Sequence, residues 1–74
     1  MDTAKFNEAM VAAGELARST GEKHFVFRIP PDDENLYIAS TSEIDKYPGS
    51  AHAILGECFP GGRMIDYRSV GGKP

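Results

Sequence analysis

The segment PGSAHAILGECFPGG, Pro48 to Gly62, admits two folds. Ala51, Ile54, Leu55 and Cys58 recur at helical spacing, and Ser50 stands where a helix cap is wanted, just after the Pro48-Gly49 break. On that reading 50–58 is a short helix facing the core. As a strand, 52–59 is apolar on both faces and forms a hairpin through Pro60-Gly61-Gly62. The helix is the preferred expectation. Gly56 argues for the strand, because an interior helix glycine costs about 1 kcal/mol relative to alanine.

The segments around it are less divided. RMIDYRSV (63–70) alternates, with Ile65 and Tyr67 facing one way and Met64, Asp66 and Arg68 the other, so it reads as the last strand. The residues 71–74 read as a frayed, flexible tail. Upstream, Ser42 with Asp45 resembles a capping box. LYIAS (36–40) is a short strand with Leu36 and Ile38 inward and Tyr37 and Ala39 outward. HFVFRI (24–29) is another, with Phe25, Phe27 and Ile29 expected to face the core and His24, Val26 and Arg28 the opposite side. PPDDEN (30–35) joins them as an acidic turn, since two prolines end the ladder and Asp/Asn favour turns.

Residues 3–20 predict an amphipathic helix with Phe6, Ala9, Met10, Ala13, Leu16 and Ala17 in one stripe. Asp2 or Thr3 caps its start and Gly21 its end. Glu15 is placed to meet Arg18 at i,i+3. Gly14 borders the stripe, where it would permit close approach to a sheet. The fold class is therefore α+β: a two-layer sandwich with the N-terminal helix on an antiparallel sheet. The order is α-β-β-α-β with three strands, or α-β-β-β-β with four. Residues 1–74 form one compact domain, and the chain reads as complete.

With 74 residues, the chain buries only about 60% of its unfolded surface. A core of that size supplies only ~3–5 kcal/mol. The composition is that of an ordinary globular domain, 41% hydrophobic and 26% charged. The net charge of −3 weighs against general nucleic-acid binding, which needs lysine and arginine to displace counterions, without removing it. No run approaches the ~20 apolar residues of a membrane span, and no signal peptide opens the chain. The single cysteine makes no internal disulfide and fits the cytoplasm.

Chemical motifs are few. FPGGR lacks the strand-then-helix order of a phosphate cradle, so its glycines read as turn punctuation. Cys58 has no base at helical spacing and reads as a small core residue. His24, His52, Cys58 and Asp66 do not fall at metal-ligand spacing, and no metal or cofactor is expected. The expected binding surface is the sheet face opposite the helices, carrying His24, Val26, Arg28, Tyr37, Ala39, Met64, Asp66 and Arg68 without a lysine. Tyr, Met and Arg are enriched at interfaces. The acidic tip Asp32, Asp33 and Glu34 lies at its edge and would steer a basic partner.

GEKHFVFRIPPDDENLYIASTSEIDKYPGSAHAILGEC also resembles part of the HicA-type toxins. It shares a histidine opening the first strand, a Pro-Asp hairpin tip and a Pro-Gly before an Ile-Leu segment. The resemblance covers about half the chain and implies a double-stranded-RNA-binding-like fold with His24 as an RNA-cleaving residue. The chain departs from it in reading Gly-Glu-Lys-His before the strand and in ending the second strand without a histidine.

Three functions follow as expectations. The first is a non-enzymatic regulator or inhibitor that binds a larger protein stoichiometrically, of the compact acidic kind that bacteria and their phages encode. The second is an RNA-binding or HicA-like nuclease module. The third is a homo-oligomeric structural domain, with the sheet face pairing to itself.

Overall fold

A computed structural model describes residues 3–31, 34–47 and 52–68 of the chain. Helix α1 spans Thr3–Thr20, followed by strands β1 (His24–Arg28), β2 (Tyr37–Ser40), β3 (Ala53–Cys58) and β4 (Met64–Asp66). A 3-10 turn over Ile44–Lys46 lies between β2 and β3. The strands form one antiparallel sheet in the order β2-β1-β3-β4. The architecture is the expected α+β sandwich in its α-β-β-β-β form.

Where a helix was expected over 50–58, Ala53–Cys58 is a strand; residues 48–51 lie outside the described part, as do Asp2, the acidic-tip residues Asp32 and Asp33, residues 69–70 of the expected last strand and the tail 71–74. Gly56 decides it physically. Its position in β3 lets Met10 of α1 lie directly on the sheet: a Cβ on Gly56 would stand 2.5 Å from Met10 Sδ. Of the apolar residues that suggested a helical face, Ile54, paired with Phe27, and Cys58, paired with His24, lie on opposite faces of the strand. A bulge helps, since Val26 pairs with Gly56 but Phe27 with Ile54, leaving Leu55 as the extra residue. Leu55 then packs against the core under α1.

The side of β1 that meets the helix is the reverse of the expectation. Direct antiparallel partners share a face, and His24 pairs with both Ser40 and Cys58. Cys58 and Val26 belong to the core cluster with Phe6, Met10, Ala13 and Ala17. His24 and Val26 therefore face α1, while Phe25 and Phe27 lie on the open side. Alternation is symmetrical in this respect: it separates two faces without saying which one is covered. Here the small residues Val26, Gly56 and Cys58 admit the helix, and the bulky phenylalanines find other cover.

The helix ends as its sequence signals. Gly21 adopts φ +77° and its N–H donates to the Ala17 carbonyl at 2.9 Å. Leu16, however, falls off the buried stripe and is exposed. Ser42 caps nothing; its N–H and hydroxyl instead donate to the Glu22 carboxylate at 3.2 and 3.3 Å, tying the β2 exit to the start of β1. The last strand is shorter than the 63–70 expected. Asp66 Oδ1 accepts the Arg68 N–H at 2.9 Å, an N-cap geometry, and Tyr67 and Arg68 already have helical backbone.

Candidate functional site

The residues singled out by sequence do not gather on one face. His24 is 4% exposed beneath α1, its Nδ1 3.0 Å from the Glu22 carbonyl. A carbonyl only accepts, so this nitrogen carries the proton. The histidine to which the HicA-like resemblance would give RNA cleavage is therefore sealed in the interior. Arg28 is half-buried at the end of β1. Tyr37 lies on the opposite face, stacked on Phe27 at 5.8 Å between centroids. Asp66 and Arg68 form a 3.5 Å ion pair, and the Arg68 guanidinium stands 3.7 Å over the Phe6 ring, roofing the core. Glu34 is exposed beside the hairpin tip. Met64 pairs with Cys58, which puts it on the helix side, and it is 54% exposed.

The open sheet face is rich in aromatics but largely occupied by its own contacts. Tyr47 and His52 meet the buried Phe27 edge-on at 5.0 and 5.3 Å. Lys23 Nζ bridges to Glu57 Oε1 at 3.3 Å, and Tyr67 donates its hydroxyl to Glu57 Oε2 at 2.9 Å. That hydrogen bond to a carboxylate raises the Tyr67 pKa above its ordinary value. Lys23 also stands over Phe25 at 5.0 Å. None of these side chains is a largely exposed hydrophobic.

The large hydrophobics that are exposed among the described residues are Val11 (59%), Leu16 (42%) and Met64, all on the helix side. Val11 and Met64 line the same groove, between α1 and the β3–β4 turn. Met10 and Phe59 complete its apolar lining, with Gly14 and Gly62 between them, and its volume is about 190 Å³. Glu15 and Arg18 stand at its helix side. They form no ion pair, contrary to the i,i+3 expectation. Phe59, the far wall, carries two cations: Arg63 at 5.0 Å from its centroid and Lys23 at 5.2 Å.

Gly14 takes on a different meaning here. It was expected to let the helix approach the sheet, but a Cβ built on it meets nothing within 4 Å. Its φ is not positive, so the backbone does not require glycine either. The residue lines the groove. Sequence alone could not find this site, because Val11 looks like an ordinary off-stripe helix residue until Met64 is brought opposite it.

Cys58 is fully buried in β3, its thiol donating to the Met10 carbonyl at 3.4 Å with Met10 Sδ at 4.0 Å. Burial pushes its pKa up, which suppresses the thiolate. No group of three or more His, Cys, Asp or Glu among the described residues is arranged to hold a metal. No described helix is long and apolar enough to cross a membrane. Scans against protein-family models, curated proteins and solved structures find no match to this chain.

Proposed function

We propose that this chain is a small cytoplasmic regulator that binds a larger protein stoichiometrically and docks through the α1/β3–β4 groove. The observation that carries the reading is the pair of exposed hydrophobics, Val11 and Met64, standing across one apolar groove. Clustered exposed apolar side chains rimmed by charge mark interaction surfaces, whereas scattered ones do not. The groove is smaller than the ~300 Å³ at which small-molecule pockets begin. Cys58 and His24 are both buried away from any substrate. An inhibitory, phage-type accessory role rests only on analogy of size and acidic composition.

The test is affinity capture with immobilised wild type beside Val11→Glu and Met64→Glu, followed by native mass spectrometry of the recovered complex. A partner held at fixed stoichiometry by wild type and lost from both variants is the expected result. Identical captures from all three baits would refute the groove as the docking surface.

A further inference from the structure

Resting on that protein-binding reading, we infer that Met64 is a modification site: a peroxide oxidises its thioether to the sulfoxide, and the sulfoxide closes the groove to the partner.

The sulfur side chains of the chain are Met1, Met10, Cys58 and Met64. Met1 lies outside the described residues, and the other three differ sharply in access. Met64 is 54% exposed and lines the groove. Met10 is 7% exposed, with its sulfur packed on Gly56 in the core. Cys58 is fully buried and donates its thiol to the Met10 carbonyl. Peroxides react with the thiolate, and burial holds this thiol in its protonated form. A thioether has no proton to lose, so access to its lone pairs sets its reactivity. A reagent in solution therefore meets the sulfur of the groove wall before either sulfur of the core.

The position of Met64 makes its oxidation a switch rather than damage. It opens β4, the edge strand of the sheet, and it is not part of the core cluster. The turn before it is held by the Phe59 N–H on the Arg63 carbonyl at 2.8 Å and the Gly62 N–H on the Phe59 carbonyl at 2.9 Å. A change at this side chain alters the groove and leaves the packing under α1 in place. In the reaction a sulfur lone pair attacks one peroxide oxygen, the O–O bond breaks and an S–O bond forms. Sulfur loses two electrons. The hydroxide released takes the proton from the transferred oxygen and leaves as water. A thiol-dependent methionine sulfoxide reductase reverses the change, its thiols becoming a disulfide. The sulfoxide oxygen is a polar acceptor, and Val11 across the groove offers it no donor. Seating a partner would strip its water without replacement, which lowers affinity by roughly tenfold or more.

The experiment treats the native protein with graded hydrogen peroxide, then maps it by tryptic digestion and mass spectrometry. Trypsin places Met1, Met10, Cys58 and Met64 on separate peptides, 1–5, 6–18, 47–63 and 64–68. Among the last three, the gain of one oxygen is expected first on 64–68, with the melting temperature unchanged. Capture of the partner falls with that gain and returns after treatment with the two reductases, one for each sulfoxide epimer. Met64→Leu captures the partner at every peroxide dose, and Met64→Gln imitates the sulfoxide. Oxidation of 6–18 or 47–63 as fast as 64–68 would overturn the inference, and so would peroxide loss of capture in Met64→Leu. If protein oxidised at Met64 still captures the partner while Val11→Glu and Met64→Glu do not, the switch fails and the protein-binding reading stands. If those two variants capture as wild type does, the docking reading fails and the closing of the groove with it, while the peptide map still decides the oxidation site.

Discussion

Gly56→Ala tests the packing on which the whole fold turns. The added methyl would lie 2.5 Å from Met10 Sδ, 3.0 Å from Met10 Cε and 3.3 Å from the Ile65 carbonyl oxygen. The carbonyl belongs to the β3–β4 ladder and yields by only tenths of an ångström. The thioether must therefore move, and it is hemmed in, because Met10 is 7% exposed within the core cluster. Overpacking of this kind costs ~1–3 kcal/mol. Taking about 2 kcal/mol, the melting temperature of a domain this size falls by roughly 8–16 °C. Thermal unfolding by circular dichroism reads this directly. A Met10→Ala variant alone loses ~2–5 kcal/mol by leaving a cavity. Combined with Gly56→Ala it should cost less than the sum of the singles, because the new methyl then occupies space the thioether has vacated. Neutral or stabilising behaviour of Gly56→Ala, or strict additivity in the double variant, would refute the argument that Met10 selects glycine here. Gly14→Ala gives the opposite sign, a gain of ~0.5–1 kcal/mol from helix propensity with no clash to offset it.

Further expectations follow from individual contacts. Arg68→Ala removes the guanidinium over Phe6 and should cost ~1 kcal/mol in denaturant unfolding. Labelling of Cys58 by a thiol reagent should track global unfolding, being slow in the native protein and fast in urea, because the thiol is buried and its pKa is raised. Tyr67 has a raised pKa in the folded state, so the stability it contributes is fully present below the unfolded value of about 10 and is lost as pH rises through the higher folded value. Tyr67→Phe should therefore lower stability at neutral pH, and its difference from wild type should shrink in alkaline melts. A difference that stays constant with pH would count against the Glu57 hydrogen bond as its source.

Much of the architecture was legible from local chemistry. The helix from Thr3 carries its apolar stripe at Phe6, Met10, Ala13 and Ala17 and stops where Gly21 takes a left-handed conformation. The Pro-Pro and Pro-Gly-Gly turns and the alternating residues of β1 and β2 follow from backbone preferences that act over a few residues. These features need no knowledge of what lies across the core, so sequence alone determined the α+β class and most of its punctuation.

Three things were settled only by tertiary contact. Residues 53–58 became a strand because β1 and β4 offered ladder partners on both sides and Met10 needed the space at Gly56. β1 turned His24 and Val26 to the helix because small side chains let the two layers meet, a choice its two-residue period leaves open. The groove arose because the β3–β4 turn carried Met64 and Phe59 to the flank of α1 opposite Val11 and Gly14. The residues that form it are up to 54 positions apart in sequence, from Met10 to Met64, so no local pattern brings them into one view. Periodicity orders the residues within one element; which faces of different elements meet is decided by the volumes that fit between them.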